Sequence, residues 1–520
     1  MSSAEADIQG YRGLDIPICI AARISRPDRV SLYTDDSSAG TMLFMAEIID
    51  VSKVEIDIST PCVIVGAGAC GLVASLKLAA EDIETLVFER DATPHGSTSM
   101  SSGFIPAAGT LAQLALSVKD STEQFHADIQ HKANNEADPA LVDAVINSVR
   151  DTLDWLQQQH GFQWQVLNDF LYPGHSSHRM HAVPGKTGQS LQQQLLSSAQ
   201  SAGVNVVEDA RVFALLTAPL TTEGSDKRVV GVAVERPDGT LEYVEAEAVI
   251  LACNGYGANR QLIEKHIPQM AGAQYYGHDG NTGDAVLWGE ALGARSCYLG
   301  AYQGHGSVAA QHNILITWAL MMEGGIQVNA RGVRFSNEHG GYSEQAEHVQ
   351  KQPGHVAWNI YDERLHRLGL GFPDYQRAFE AGAVKTADSI EELAALNQLP
   401  EDALASTLQQ IEKLAIAGVD EFGRHFTPEK CLQPPYYSVK VNAAIFHTQG
   451  GLAINTTAEV LNQNNQPIAG LYAAGGAAVG VSGSNVAGYL SGNGLLTAIG
   501  LGAIAAETVS SKFKSSEQAG

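Results

Sequence analysis

A glycine-rich loop at residues 66–71 has the residue types and the spacing that bind a dinucleotide. Gly66, Gly68 and Gly71 follow the G-x-G-x-x-G spacing, which allows a tight turn and a close approach of the backbone to a pyrophosphate. A helix that begins in this loop would point its free N–H groups toward the phosphates. Glu89 lies eighteen residues after Gly71, where a carboxylate can accept hydrogen bonds from ribose hydroxyls. Together these residues predict a nucleotide-binding site.

The segments on either side of the loop predict the elements that position it. Residues 62–65 are a continuous apolar run, as expected of a strand buried on both faces, and residues 85–88 predict a second buried strand. Residues 72–80 between them predict a helix, so the order strand, loop, helix, strand indicates a Rossmann-like α/β unit. Residues 229–234 and 242–249 predict a β-hairpin.

Length, charge and cysteine content narrow the class of protein. A chain of 520 residues favours two or three domains. A net charge of −25 argues against a nucleic-acid partner, and it means that an anionic substrate would need local positive groups. The six scattered cysteines contain no C-x-x-C pair, which argues against an iron–sulfur cluster or a c-type haem. We expect no metal site and no membrane span, and we expect a cytoplasmic protein because the N-terminus lacks a signal-peptide pattern.

A second loop, residues 95–103, follows the second predicted strand and is dense in small hydroxylated residues that suit close contact with a flavin ring. At this point the sequence resembles the flavoprotein family that contains fumarate reductase, the succinate dehydrogenase flavoprotein and the 3-ketosteroid dehydrogenases. The resemblance covers residues 61–507 and includes motifs at residues 252–257, 281–284, 334–338, 447–451 and 470–475. It implies a bound FAD.

The predicted FAD-binding residues come from segments spread along the chain. They are Gly66, Ala67, Gly68, Ala69, Cys70, Gly71, Glu89, Arg90, Ser97, Thr98, Ser99, Ser102, Gly103, Arg211, Val212, Ala252, Cys253, Asn254, Gly255, Asp284, Gly475, Gly476, Gly494, Leu495 and Leu496.

Two of these segments also indicate how the protein binds the flavin. In the succinate dehydrogenases a histidine in the loop after the second strand carries the flavin covalently, and Ser97 stands at that position here. The resemblance therefore implies non-covalent FAD. Residues 488–496 resemble the helix start that faces the flavin pyrimidine edge in this family, and we predict a helix over residues 488–507. Its positive end would stabilise negative charge on the reduced ring.

Two arginines of the fumarate reductases have no counterpart in this chain. The arginine that acts as the acid aligns with Tyr342, and the arginine that clamps the substrate carboxylate aligns with Val486. Losing both removes the bidentate recognition that a dicarboxylate requires. The resemblance therefore disfavours fumarate and succinate as substrates.

Tyrosines are the acid–base residues of the ketosteroid dehydrogenases, and this chain offers matching ones. Tyr342 lies at a similar distance from the Asn-Glu pair, and Tyr489-Leu490-Ser491-Gly492 resembles the Tyr-x-Ser-Gly of the 4-ene-forming enzymes. A neutral phenol can donate to an oxyanion, and a phenol of lowered pKa can remove an α-proton. The resemblance thus implies catalytic roles for Tyr342, Tyr489 and Ser491.

Histidines and further polar residues complete the set of candidate active-site residues. His305 and His447 align with substrate-binding histidines of fumarate reductases, and we include both in the catalytic set. His178, Arg179 and His181 could bring positive charge to a carboxylated substrate, and Tyr437 could reach the pocket. A lone histidine or tyrosine is more often a structural residue, so position in the family carries these assignments.

The predicted fold is α/β, with a Rossmann-like FAD-binding domain and an inserted α+β capping domain. The predicted boundaries are an N-terminal extension over residues 1–54, an FAD domain over 55–303 and 447–510, a cap over 304–446 and a tail over 511–520. Residues 389–396 and 401–416 predict helices of the cap. We hypothesise that residues 1–44 are dispensable, with Met45 a plausible natural start.

The predicted function is FAD-dependent α,β-dehydrogenation of a cyclic or ketosteroid-like ketone, or the reverse reaction. The predicted partners are a small-molecule substrate and an unidentified electron acceptor or donor. One alternative is a reductase of an unsaturated carboxylate such as fumarate or urocanate, in which His178, Arg179 or Arg334 would replace the missing clamp. A second alternative is a flavin-bearing subunit that only transfers electrons.

Overall fold

The computed structural model describes residues 47–519, apart from Asp169 and residues 221–226. The hypothesis about residues 1–44 and Met45 therefore falls outside the described residues.

A nine-stranded sheet forms the core of the nucleotide-binding part. Ile58–Val65 runs parallel to Thr85–Phe88 on one side and to Leu241–Leu251 on the other. Residues 62–65 are buried, which explains their unbroken apolar run. The predicted hairpin is present as the antiparallel pair Lys227–Glu235 and Leu241–Leu251. Across the sheet the strand order is Glu47–Asp50, Arg211–Pro219, Lys227–Glu235, Leu241–Leu251, Ile58–Val65, Thr85–Phe88 and Asn205–Val207. Two further strands lie off this order: Pro467–Ala473 pairs with Leu241–Leu251 and with Glu459–Leu461.

One edge of this sheet comes from the predicted N-terminal extension. Glu47–Asp50 pairs in parallel with residues 214–217 of the strand Arg211–Pro219. Part of the segment assigned to residues 1–54 thus contributes a strand to the sheet. Its four residues, Glu-Ile-Ile-Asp, do not alternate and are too few for their pattern to predict a strand.

A long C-terminal helix, Asn493–Ala519, packs against Ala69–Ala79 and Pro139–His160. The close packing requires small residues, since a Cβ at Gly502 would lie 2.5 Å from the Cys70 carbonyl oxygen. The prediction placed the start of this helix at residue 488, which is wrong. Gly492 has φ +89°, a left-handed conformation that an α-helix cannot contain, so the helix begins after it. Residues 511–519, predicted as a tail, continue the helix.

Residues Asn493–Ser516 of this helix are long and apolar enough to cross a membrane, with a mean hydropathy of 1.3. Among the described residues, no other helix meets this criterion. Within its most apolar window, 61% is buried inside the protein. A buried core helix has the same composition, and the absence of a membrane span stays a prediction.

A seven-stranded sheet forms the second layer and has its own hydrophobic cluster. Its long central strand, Tyr436–Thr448, is antiparallel to Tyr302–Ala309, and these two strands lie at the predicted boundaries of the cap. The predicted cap helices are present as Ile390–Asn397 and Glu401–Ala417. The other strands of this sheet are Ile314–Leu315, Val356–Asp362, Ile326–Val328, Gln274–Tyr275 and Val384–Ala387.

The remaining elements are short strands and peripheral helices. The strands form two small sheets, Ser296–Cys297 with Gly451–Leu452, and Ile105–Pro106, Met180–Ala182 and Gln165–Val166. The other α-helices are Gly96–Met100, Leu111–Ala115, Thr122–Lys132, Gly188–Ser201, Arg260–His266, Asp284–Ala291, Ala319–Met322, Tyr342–Gln350, Glu363–Gly369 and Pro373–Glu380.

Candidate active site

A cavity of about 880 Å³ is lined by residues of both large sheets and by the loops at their ends. Its volume lies in the range of ligand pockets. Of the predicted FAD-binding residues, four do not line it, namely Ala67, Gly71, Gly255 and Leu496. The other predicted FAD-binding residues and all five predicted catalytic residues line this cavity.

The glycine loop is shaped by close backbone contacts. A Cβ at Gly71 would lie 1.9 Å from the Gly66 carbonyl oxygen, and a Cβ at Gly66 would lie 2.7 Å from the Ala252 carbonyl oxygen. Gly71 does not line the cavity, but its lack of a side chain allows the loop to adopt this conformation. Ala69 begins the helix Ala69–Ala79, and its N–H donates to the Thr98 hydroxyl at 2.9 Å.

The carboxylate of Glu89 is fixed at the end of its strand. Its two oxygens accept the N–H of Ala67 at 3.0 Å and the N–H of Asp91 at 3.1 Å. A carboxylate oxygen has lone pairs to spare, so Glu89 can still accept ribose hydroxyls. Ala67 does not line the cavity, and it acts on the site by orienting this acid.

Ser97 lies at the centre of a small amide network. Its hydroxyl accepts from Asn254 at 3.0 Å and from Asn281 at 2.8 Å, and Asn281 also donates to the Tyr275 hydroxyl at 2.7 Å. The glycine loop, the carboxylate of Glu89 and the polar groups around Ser97 together form a site that fits a dinucleotide.

The start of the C-terminal helix borders the cavity next to His447. A Cβ at Gly494 would lie 2.5 Å from His447 Nε2, so only glycine leaves room for the imidazole. Gln449 Nε2 lies 2.9 Å from His447 Nδ1, and the Gln449 side-chain oxygen accepts from Ser482 at 2.6 Å. Burial lowers the pKa of His447 to about 4, which makes it a neutral side chain near neutral pH.

Tyr342, Tyr489 and Ser491 meet in the cavity. The rings of Tyr342 and Tyr489 have centroids 6.2 Å apart, and Ser491 and Tyr489 are hydrogen-bond partners of the Tyr342 side chain. Burial raises the pKa of Tyr342, and these hydrogen bonds oppose the rise, leaving it at about 12. Burial also raises the pKa of Tyr489.

His305 stacks between two aromatic rings on the wall of the cavity. Its ring centroid lies 4.9 Å from that of Tyr342 and 5.4 Å from that of Phe446. Its Nδ1 accepts the N–H of Ser307 at 3.1 Å, so Nε2 carries the ring proton in the neutral form. Burial lowers the pKa of His305 to about 3. His305 is thus a neutral hydrogen-bond donor.

A second group of aromatic residues lines the cavity, and sequence reasoning missed it. Tyr172 contacts Phe104 and Phe170, and Phe170 contacts Phe372, whose ring centroid is 6.0 Å away. Tyr172 is a further phenol in the same cavity as Tyr342 and Tyr489. Its place next to Pro173 in an irregular loop gave no periodic signal that could have identified it.

His175 was also missed, and it positions Ser491 through the backbone. Its Nε2 lies 2.8 Å from the Ser491 carbonyl oxygen, and Arg179 donates to its Nδ1 at 3.2 Å. Arg179 is in turn held by Asp120 at 2.7 Å and by Asp128.

The arginines expected to bind a carboxylated substrate are occupied elsewhere. Arg179 is fully buried and paired with acids, and neither it nor His178 or His181 lines the cavity. The proposed role of these three residues at the substrate is therefore wrong. Arg334 pairs with Glu338 and Asp420, and it does not line the cavity either.

Tyr437 does not reach the pocket, since its hydroxyl donates to Glu363 outside the cavity lining. Val486 packs into the second hydrophobic cluster. Among the described residues, the lysines and arginines that line the cavity are Arg90, Lys186, Arg211 and Arg377. Arg377 belongs to the helix Pro373–Glu380, where it pairs with Asp374.

Comparisons with known proteins agree with this geometry. The family model described as "FAD binding domain" matches residues 62–495. A protein named "Probable fumarate reductase Ifc3", from Shewanella frigidimarina (strain NCIMB 400), is 30% identical over 86% of this chain and 74% of its own length.

Two solved structures extend the comparison. The open conformation of a flavocytochrome c3 fumarate reductase has a TM-score of 0.73 and 29% identity, covering 88% of this chain and 79% of that one. The 3-ketosteroid-delta4-(5alpha)-dehydrogenase from Rhodococcus jostii RHA1 in complex with 4-androstene-3,17-dione has a TM-score of 0.72 and 25% identity, covering 89% and 99%. The predicted resemblance and the predicted cofactor are confirmed. The chain belongs to the FAD-binding-domain family of flavoproteins, and it is an FAD-dependent oxidoreductase acting on CH–CH or C=C bonds.

Proposed function

We propose that this enzyme acts on a carbon–carbon bond next to a ketone, by α,β-dehydrogenation of a cyclic or extended ketone or by the reverse reduction. The observation that carries the proposal is the meeting of Tyr342 with Tyr489 and Ser491 in one cavity. Three hydroxyls can serve a carbonyl oxygen and a neighbouring proton without any fixed charge.

Each of these side chains has a distinct task in the proposal. Tyr342 exchanges a proton with the substrate carbon. Burial raises its pKa to about 12, and hydrogen bonds from Ser491 and Tyr489 limit that rise by favouring the ionised form. Tyr489, whose pKa burial also raises, stays protonated and donates to the developing enolate oxygen together with Ser491. FAD, when bound, supplies the acceptor or donor of the hydride. His305 offers a neutral Nε2–H to the substrate.

The aromatic side chains that line the cavity around Tyr342 favour an uncharged, flat substrate. His305, Tyr342, Phe446 and Tyr276 form a continuous stacked wall, with neighbouring centroids 4.9 to 5.4 Å apart. His305 and His447 are both neutral near pH 7, so neither supplies the positive charge that a dicarboxylate requires.

A reductase of an unsaturated carboxylate is the second candidate, and Arg377 favours it. This arginine lines the cavity, and among the described residues its one ion pair is the exposed pair with Asp374 in the same helix. An exposed pair is weak enough for a substrate carboxylate to replace the aspartate. Several relatives bear names of this type, among them the urocanate reductase of Eggerthella lenta, which is 26% identical.

Anaerobic flavin absorbance separates the two candidates. Bleaching of the oxidised enzyme by a saturated cyclic ketone, or reoxidation of the photoreduced enzyme by a cyclic enone, is the expected result. Reoxidation by fumarate or urocanate but not by enones would overturn the proposal in favour of the second candidate. An Arg377→Gln variant should lose only the response to carboxylates. If neither ketones nor carboxylates change the flavin absorbance, the protein is better explained as a subunit that only transfers electrons.

A further inference from the structure

Three side chains with metal-binding atoms converge beside the cofactor cavity, at a distance from the tyrosines. The metal-binding atoms of Asp91, His95 and His278 all lie within 4.8 Å of one another. His278 lines the cavity, whereas Asp91 and His95 lie behind it. Asp91 and His278 are half-buried and His95 is exposed.

The carboxylate of Asp91 lacks a hydrogen bond at this point. Its Oδ2 is buried, lies 2.8 Å from His278 Nε2, and has no hydrogen-bond partner. A buried carboxylate oxygen is costly without a partner, and a bound cation would supply one.

The tautomer of His95 suits a ligand to the same ion. Its Nδ1 lies 2.8 Å from the Thr93 carbonyl oxygen, which can only accept, so Nδ1 carries the proton of the neutral ring and Nε2 keeps its lone pair. A backbone carbonyl that holds one ring nitrogen in this way commonly fixes the tautomer of a metal-binding histidine. His278 Nδ1 accepts from the Gly280 N–H at 3.0 Å, and metal capture at Nε2 moves the ring proton and gives up that bond.

We propose that Asp91, His95 and His278 bind one divalent transition-metal ion of the Zn²⁺ type. Two imidazole nitrogens and one carboxylate oxygen suit such an ion, whereas Mg²⁺ and Ca²⁺ prefer oxygen ligands. Three protein ligands leave a coordination position for water. No sequence motif indicates this site, because His278 is far from the other two ligands along the chain.

The bound ion would link two loops that flank the cofactor. Residues 91–95 lead into the loop that contains Ser97, and Arg90 donates to the Gly280 carbonyl oxygen at 2.6 Å on the other side. A metal between Asp91, His95 and His278 holds these loops together. Its loss should therefore speed the release of FAD.

Metal content of the purified holoenzyme tests the site. The protein is stripped with a chelator, dialysed against Zn²⁺ and analysed for zinc per bound flavin. His95→Ala and His278→Ala should each bind one zinc fewer than the wild type. Co²⁺ in place of Zn²⁺ should give a visible ligand-field band that both variants lack.

His126→Ala is the matched control. His126 forms a similar pair with Asp143, at 2.6 Å, but no third ligand completes a cluster among the described residues. This variant should keep the zinc content and the Co²⁺ band. Equal zinc content in the wild type and both site variants, or no zinc in the wild type, would overturn the proposal. Retained flavin absorbance in each variant shows that the protein is folded, and zinc should slow FAD release only where the site is intact.

Discussion

The imidazole of His305 lies almost parallel to the phenol of Tyr342, with ring centroids 4.9 Å apart and planes inclined by 20°. The stack fixes the orientation of the phenol, because His305 is itself held by the N–H of Ser307 and by Phe446 on its other face. Tyr342 begins the helix Tyr342–Gln350, whose next residue, Ser343, accepts the N–H of Gly304 at 2.8 Å. Strand and helix together therefore position the phenol that we propose as the acid–base group.

Replacing Tyr342 with phenylalanine should remove turnover and leave the yellow colour. The variant keeps the ring and its stack on His305 but has no proton to exchange, so we expect kcat to fall by roughly 10²–10⁴-fold. Steady-state rates with the best substrate of the panel, beside the visible spectrum, measure both effects. Tyr276→Phe is the control, since Tyr276 lines the same cavity and donates to the Asn313 carbonyl oxygen at 3.3 Å. Near-normal activity in Tyr342→Phe would exclude the residue from the mechanism.

The pH profile of kcat/KM should lack a histidine titration. Burial lowers the pKa of His305 to about 3 and of His447 to about 4, so both are neutral between about pH 5 and 8. A step near pH 6.5 that disappears in His447→Gln would contradict this. The same shifts affect stability, because the unfolded histidines bind protons first. Their contribution is present above the unfolded pKa of 6.5 and is lost as pH falls toward 4.

Glu338→Gln should strongly destabilise the protein. Glu338 accepts from the buried Arg424 at 2.7 Å and also pairs with Arg334, so neutralising it leaves buried positive charge uncompensated. We expect a loss of about 3–5 kcal/mol in the free energy of unfolding, measured with urea. Glu264→Gln, which breaks an exposed pair with Arg260, should cost at most about 1 kcal/mol.

The same carboxylate makes the wild type sensitive to acid. Burial alone would raise the pKa of Glu338, but Arg424 and Arg334 outweigh it and lower the pKa from 4.5 to about 2. Its stabilising effect is therefore present above pH 4.5 and is lost as pH falls through 2. Glu338→Gln should not show this part of the acid response, and an unchanged response would contradict the assignment.

Gly71→Ala should lose FAD, although Gly71 does not line the cavity. A Cβ there would lie 1.9 Å from the Gly66 carbonyl oxygen and would displace the loop. Flavin per protein after gel filtration measures the loss. Gly340→Ala is the control, because a Cβ at Gly340 has no atom within 4 Å. Full flavin content in Gly71→Ala would show that the loop tolerates the shift.

Acid precipitation should separate FAD from the wild-type protein. Ser97 occupies the place of the histidine that carries the flavin in succinate dehydrogenases, and a serine hydroxyl held by Asn254 and Asn281 offers no such link. A colourless pellet and a yellow supernatant are expected. A pellet that stays yellow would refute non-covalent binding.

The parts of the fold that were predicted correctly depend on local patterns. The buried strands beside the glycine loop and the hairpin over residues 227–251 follow from apolar runs and turn residues that neighbouring residues determine. The tyrosines and histidines predicted to be catalytic could be placed in one cavity only through the family resemblance, since they come from distant segments. Their individual roles stay predictions.

The errors have a common physical cause, which is that a sequence does not show what a side chain contacts. Arg179 was assigned to the substrate, but Asp120 and Asp128 neutralise it in the interior. His175 and Tyr172 gave no signal, because an irregular loop without periodicity brings them to the site. The helix start at Asn493 was misplaced since the backbone conformation of Gly492 cannot be read from its identity.

The C-terminal helix has a consequence for how the protein is made. Its first turn supplies Gly494 and Leu495 to the cavity that Gly66 also lines, and its body packs on the helix Ala69–Ala79. A nascent chain therefore exposes an apolar helix surface and cannot close the flavin cavity until residues 493–519 have left the ribosome. Stable capture of the flavin should wait for this helix.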